Sequence, residues 1–173
     1  NNKFEKPYTS QNSKINNLQI KNVNSAFGNN QFSYIFYRLP SIKISYIEFN
    51  IRKYLNSKEF IDKLNYITGM NLVGTTTLFI SKYKSGNFLS PHSDKGNGRL
   101  AFVINLTKNW KPQYGGNLHF MNDNRTEIIE TFVPDFNNLI LFNVPEEKGI
   151  PHFVSHVSPN VVHPRIAITG WFN

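Results

Sequence analysis

Cysteine is absent from this 173-residue chain, which rules out a disulfide framework and a thiolate zinc site and suits a reducing compartment. No apolar run approaches the length needed to span a bilayer, so no membrane partner is expected. Internal repeats are missing, and no linker interrupts the chain after residue 30. Acidic residues are few: 11 Asp and Glu against 19 Lys and Arg give a formal net charge of +8. The lysines are scattered rather than aligned in one stripe, so a solvated basic surface is favoured over a nucleic-acid site. The chain opens on Asn1 rather than Met, which leaves room for a processed targeting segment ahead of it.

What is present suits one domain with a real core. Hydrophobic residues make up 39% of the chain, and 15 Phe with 8 Tyr fit a sheet-rich interior. Residues 1–30 are rich in Asn and Lys with little apolar periodicity, and read as an irregular N-terminal segment, leaving 31–173 as the domain. Alternation from Phe32 to Phe49 suggests two short strands broken near Pro40. Asn56 or Ser57 can cap a helix that runs to Thr68, with Phe60, Leu64 and Ile67 at helical spacing and Gly69 as its stop. That helix is expected on the outside of a sheet.

Strands follow. Thr75–Tyr83, Leu100–Leu106, Asn117–Met121, Thr126–Phe132, Asn138–Asn143, His152–Val157 and Arg165–Phe172 are separated by turn signals such as Gly115-Gly116 and Pro134-Asp135. Short strands at regular spacing point to a sandwich or barrel. The nearly all-apolar Leu100–Leu106 reads as a central strand covered on both faces.

The chemistry sits in His92-Ser93-Asp94 and in the segment from His152 to Phe172. In an extended chain, residues 92 and 94 leave from one face, which sets an imidazole beside a carboxylate. A lone HxD is a common surface turn. A distal histidine completes the set of two imidazoles and one carboxylate that binds ferrous iron and leaves positions open. On the last strand Arg165, Ala167, Thr169 and Trp171 share one face, and Ile166, Ile168 and Phe172 the other. If the second face packs under an outer layer, Arg165 points inward. A buried guanidinium needs an anion, and a carboxylate is its natural partner. The alternative is a rim position paired with Glu or solvent.

These residues, taken in order, resemble the 2-oxoglutarate/Fe(II)-dependent dioxygenases of the prolyl 4-hydroxylase-like family, in particular the cytosolic prolyl hydroxylase branch. The resemblance runs from about residue 57 to 173. It takes in Ile67-Thr68-Gly69, Tyr83, Gly86, Phe88 and Leu89 ahead of His92-Ser93-Asp94, then Arg99, Leu106, Trp110, Gly115-Gly116-Asn117-Leu118, His152-x-Val154, and Arg165 with Gly170-Trp171-Phe172. It implies a mainly β (α+β) double-stranded β-helix, jelly-roll or cupin-like, braced by N-terminal helices. It further implies that His92, Asp94 and a distal histidine bind Fe(II), and that Arg165 pairs with the far carboxylate of the co-substrate 2-oxoglutarate. Tyr83, Thr169 and Trp171 then line the co-substrate pocket. The implied reaction is hydroxylation of a prolyl residue in a protein or peptide by O2, with 2-oxoglutarate going to succinate and CO2. Ascorbate as an optional reductant and a cytoplasmic location come with the resemblance. Halogenating relatives lack the carboxylate, so Asp94 favours hydroxylation.

Three histidines compete for the distal position. His152 matches the H-x-V-x-x-V pattern with Val154 and Val157 and is preferred; His156 is the alternative, on the same strand face if the strand continues; His163 before Pro164 reads as a turn. His119 reads as an ordinary strand histidine. Asn105 stands where many relatives carry a tyrosine that hydrogen-bonds the co-substrate; Asn can donate but is shorter, so that bond is lost or bridged by water. The polar loop from Pro145 to Ile150 either borders the entrance or is simply solvated. A free amino acid or small metabolite is the alternative substrate. A nucleic-acid demethylase is disfavoured, because the final strand has no second arginine after Arg165. A metal-free jelly-roll binding module is the non-enzymatic alternative.

Overall fold

A computed structural model describes residues 7–9, 17–38 and 46–173. In chain order its elements are β1 (Pro7–Thr9), α1 (Asn17–Gly28), β2 (Tyr34–Arg38), α2 (Tyr46–Leu55), α3 (Lys58–Thr68), β3 (Thr75–Tyr83), β4 (Phe88–His92) and β5 (Leu100–Asn105). A short 3-10 turn (Pro112–Tyr114) leads to β6 (Leu118–Met121), β7 (Ile128–Phe132), β8 (Asn138–Asn143), β9 (His152–Val154) and β10 (Arg165–Phe172). The strands hydrogen-bond in the order β7-β6-β9-β4-β2-β3-β10-β5-β8, with β1 added alongside β2. Every pairing among the described strands is antiparallel.

The sheet curls until its two ends face each other. Phe120 of β6 and Phe142 of β8 lie near opposite ends of that order, yet their rings are 5.0 Å apart. Between them an inner core gathers Phe36, Tyr83, Val103, Leu118, Val154 and Ala167. This curled, mostly β architecture is the expected double-stranded β-helix.

A second core lies on the outer face of β3, β5 and β10. Leu78, Leu100, Phe102, Ile168 and Phe172 pack there against Leu55 of α2 and Ile61 and Leu64 of α3. The Ile/Phe face of β10 is therefore roofed by helices, as its alternation predicts, and the Arg165 face is turned inward. Leu100–Asn105 is covered on both sides: Leu100, Phe102 and Ile104 face the outer core and Val103 the inner one.

The expected helix α3 is bounded as its sequence predicts. The Ser57 hydroxyl accepts from the Phe60 N–H at 3.3 Å, and Gly69, at φ 68°, donates its N–H to the Asn65 carbonyl. α2 departs from the sequence expectation: a helix stands over Tyr46–Leu55, where the alternation predicts strand as far as Phe49. Ile47, Ile51 and Leu55 recur every fourth residue, a helical signal masked by the alternation before it. The Arg52 guanidinium ties this helix to the sheet, donating to the Leu78 carbonyl at 2.8 Å while pairing with Glu48. The expected strand around Ile42 and Ile44 lies outside the described residues.

Two further corrections concern segment ends and the N-terminus. Asn17–Gly28 is helical rather than irregular, and its Val23 is buried with Ile35 and Phe88. β9 stops at Val154 rather than Val157, because the Ser155 and Val157 N–H groups turn to the carbonyls of Asn117 and Asn87.

Candidate metal centre

β4 and β9 are adjacent, and His92 is directly opposite His152 in their register. Their rings sit 4.3 Å apart. The chain turns after Asp94, whose carbonyl accepts from Asn97, and the carboxylate swings between the two rings. Nε2 of His92 lies 3.5 Å from one Asp94 oxygen, and Nε2 of His152 lies 3.5 Å from the other. One donor atom from each of the three residues falls within 4.8 Å of the rest, the geometry of a metal site.

Backbone carbonyls set the tautomers. Nδ1 of His92 is 3.0 Å from the Ser90 carbonyl, and Nδ1 of His152 is 2.9 Å from the Ile150 carbonyl. A carbonyl only accepts, so each Nδ1 carries the proton and each Nε2 keeps its lone pair facing Asp94. Burial, reinforced by His92 alongside, pushes the His152 imidazole down to about 4 against the pull of Asp94 and of the Ile150 carbonyl, so it stays neutral. For Asp94, burial opposes ionisation, but the His92 and His152 imidazoles alongside outweigh it and leave the carboxyl below its ordinary value. The Trp171 indole N–H leans toward the same carboxylate at a looser geometry than a hydrogen bond.

Deeper on the inner face, Arg165 is 2% exposed. It has no carboxylate partner among the described residues. One Nη donates to Asn105 Oδ1 at 3.3 Å, the guanidinium carbon stands 5.0 Å over the Tyr83 ring, and Nε has no partner. Burial lowers the guanidinium from its usual value, with Tyr83 opposing; burial likewise pushes Tyr83 up to about 12. Asn105, fully buried, also leaves its Nδ2 unpaired. Two orphaned donors beside a buried cation form a place built for an anion. Gly116 makes room for it: at φ +64, a side chain there would press on the Arg165 Cδ at 3.3 Å and on Val157.

Thr169 shares this inner face, standing opposite Phe79 and Val103 in register. Trp171 follows two residues on, its ring 6.2 Å from Phe79. The loop before β9 borders the centre: Gly149 packs against Ser93, and Lys95 Nζ donates to the Glu147 carbonyl at 3.1 Å.

The other histidines lie elsewhere. His156 is exposed beyond the end of β9 and stacks on Phe88 at 4.1 Å, outside the cluster that holds His152. His163 meets Trp110 and Tyr114 edge-on. His119 faces outward, bonded to the Thr131 hydroxyl at 2.8 Å and stacked on Phe153. The Ser90 and Ile150 carbonyls were not legible in the sequence, because a backbone acceptor has no residue signature. Phe32, whose ring lies 5.8 Å from that of His92, was also missed.

The profile of the 2OG-Fe(II) oxygenase superfamily matches residues 78–173, which hold all three clustered donors and Arg165. The chain belongs to the 2OG-Fe(II) oxygenase superfamily. It is a 2-oxoglutarate-dependent dioxygenase. Solved structures share the oxygenase fold: a Pseudomonas putida prolyl-4-hydroxylase superposes with TM-score 0.58 at 16% identity, covering 90% of this chain and 84% of that one. A Burkholderia pseudomallei oxidoreductase of the 2OG-Fe(II) oxygenase family gives 0.58 at 12% identity, covering 96% and 84%. A Trichoplax adhaerens prolyl hydroxylase, solved with a hypoxia inducible factor oxygen degradation domain peptide fragment, gives 0.52 at 24% identity; the match covers 66% of this oxygenase and 53% of that chain. Curated protein sequences give no significant match. Among the described residues, no helix is long and apolar enough to cross a membrane.

Proposed function

We propose that this oxygenase hydroxylates a prolyl residue in a protein or peptide, using Fe(II), 2-oxoglutarate and O2. Nε2 of His92, an Asp94 oxygen and Nε2 of His152 would hold the iron. Two neutral imidazoles and one carboxylate are the donor set of non-haem iron oxygenases that leaves positions open. When bound, iron with 2-oxoglutarate supplies the O2-dependent oxidation of a C–H bond and releases succinate and CO2.

The observation that carries the reading is Arg165: a guanidinium buried on the inner face of the curled sheet, with an unpaired Nε and no carboxylate partner among the described residues. In this assignment it receives the far carboxylate of the diacid. Asn105 orients the guanidinium through its Oδ1 and offers its free Nδ2 to the same anion. Tyr83 walls the pocket below the guanidinium, and Thr169 and Trp171 line it toward the metal. The Ser90 and Ile150 carbonyls hold the Nδ1 protons, so neither histidine has to lose one to bind a metal. The curled sheet excludes bulk water from the Arg165 end.

The prolyl substrate is supported by the names of the Pseudomonas and Trichoplax neighbours. We place the catalytic domain at residues 31–173, with α1 docked on β2 from outside it. Ascorbate as a reductant and a cytoplasmic setting rest on the family resemblance alone.

The test is turnover with Fe(II), 2-oxoglutarate and O2 in the presence of prolyl peptides, read by succinate release and by a one-oxygen mass gain on proline. Both signals are expected. Oxygen gain on a free amino acid alone would move the substrate to small metabolites. No succinate under any condition would leave a binding module.

A further inference from the structure

A phenylalanine stands out in the open beside His92. Phe32 is 54% exposed, yet its ring lies 5.8 Å from the His92 ring and 5.5 Å from that of Tyr34. Tyr34 continues into the inner core through Phe36, 5.5 Å further on. The three rings thus form a row of contacts from the surface beside His92 into the inner core.

Phe32 is held there by the backbone rather than by burial. The Ser33 N–H donates to the Ser90 hydroxyl at 2.8 Å, and the Ser90 N–H returns to the Ser33 carbonyl at 2.9 Å. Tyr34 and Ile35 pair with Leu89 and Phe88 of β4, the strand that ends at His92. The segment that carries Phe32 is therefore tied to the strand that carries His92. Leaving a large apolar ring half in water forfeits part of its burial energy. A fixed position beside the reacting centre gives that ring a use.

We propose that Phe32, with Tyr34 behind it, is the wall against which the target prolyl ring packs, and so a specificity-determining residue for the prime substrate. The inference rests on the hydroxylase reading above. The wall carries no charge, which suits a saturated pyrrolidine ring rather than an ionised side chain. Ring C–H bonds next to an amide nitrogen are polarised and pack well on an aromatic face. An aromatic contact of this kind is worth roughly 0.5–1.5 kcal/mol, or about 2- to 12-fold in Kd.

The probe is an acetylated Ala-Pro repeat peptide added to the full chain loaded with Mn(II) and 2-oxoglutarate. Paramagnetic relaxation of the proline ring protons reports their approach to the metal. The wild type is expected to relax these protons, and Phe32→Ala to weaken peptide binding by about 2- to 12-fold. Phe32→Trp should restore it. Ile129→Ala, at a similarly exposed apolar residue on β7, should change nothing. The melting temperature of Phe32→Ala, an exposed truncation, checks folding. If Phe32→Ala binds as the wild type does, the wall is refuted while the hydroxylase reading stands. If the wild type is stabilised by Mn(II) and 2-oxoglutarate but never relaxes the peptide, the wall and the prolyl substrate both fall. If Mn(II) and 2-oxoglutarate give no stabilisation either, the dioxygenase site itself falls.

Discussion

His152 presents Nε2 to Asp94 only because the Ile150 carbonyl holds its other nitrogen. The burial of this ring, which outweighs the pull of that carbonyl, makes stability depend on pH. The folded imidazole titrates at about 4, while the unfolded one keeps its ordinary value near 6.5. As pH falls through that window the unfolded chain takes up a proton that the folded chain refuses, so stability falls. The metal-free protein should lose melting temperature from pH 6.5 toward 4, and His152→Gln should flatten that slope; an equal slope in both would contradict the burial of a neutral ring. Asp94→Ala should keep the fold and lose the thermal stabilisation given by Mn(II), since it removes the one anionic donor of the set; retained stabilisation would mean the metal sits elsewhere. At this scale the sequence was legible in which side chains the fold gathers and buries: His92, Asp94 and His152 cluster, and Arg165 turns inward. It was silent on what orients them. The Ser90 and Ile150 carbonyls have no side-chain signal, and Asn105, read as a shortened substitute for tyrosine, proves to be the hydrogen-bond partner of Arg165.

Elements position these residues through their ends and their outer faces. α3 starts at a serine cap and buries Ile61 and Leu64 against the back of β10. Ser57→Ala should cost about 1 kcal/mol and Leu64→Ala about 2–5 kcal/mol in denaturant melts, because one removes a cap and the other opens a cavity. A smaller loss at Leu64 than at Ser57 would contradict the packing of this helix under the catalytic sheet. Gly116 acts on the other face. Alanine there meets a left-handed backbone and the Arg165 stem together, so Gly116→Ala should weaken 2-oxoglutarate binding more than Mn(II) binding. The legible elements were those whose periodicity and caps agree, such as α3 and β3. α2 was lost because the alternation before it continued across Tyr46 into a helix. β7 begins at Ile128 rather than Thr126 because the Asn122 side chain accepts from the N–H groups of residues 126 and 127, a turn that takes up the first strand residues.

The whole molecule works by closure. β6 and β8 are far apart in the sheet order, yet Phe120 and Phe142 touch, and Phe142 in turn meets the His152 ring at 4.9 Å. The curl therefore buttresses the His152 ring through Phe142, and Arg165 is buried near Tyr83 and Asn105. The alternation of β10 revealed this plan in advance, since its two faces are claimed by two different cores. The curl itself was not readable from local pattern, because it depends on pairings such as β4 with β9 that join residues some sixty positions apart. The central claim is that this enclosure joins a metal site to an anchor for a diacid. The most direct measurement is calorimetric titration of 2-oxoglutarate into the Mn(II)-loaded wild type and into Arg165→Met. The wild type should bind, and the variant should bind at least about 30-fold more weakly while its Mn(II) affinity holds. Equal 2-oxoglutarate affinity in the two proteins would contradict that claim.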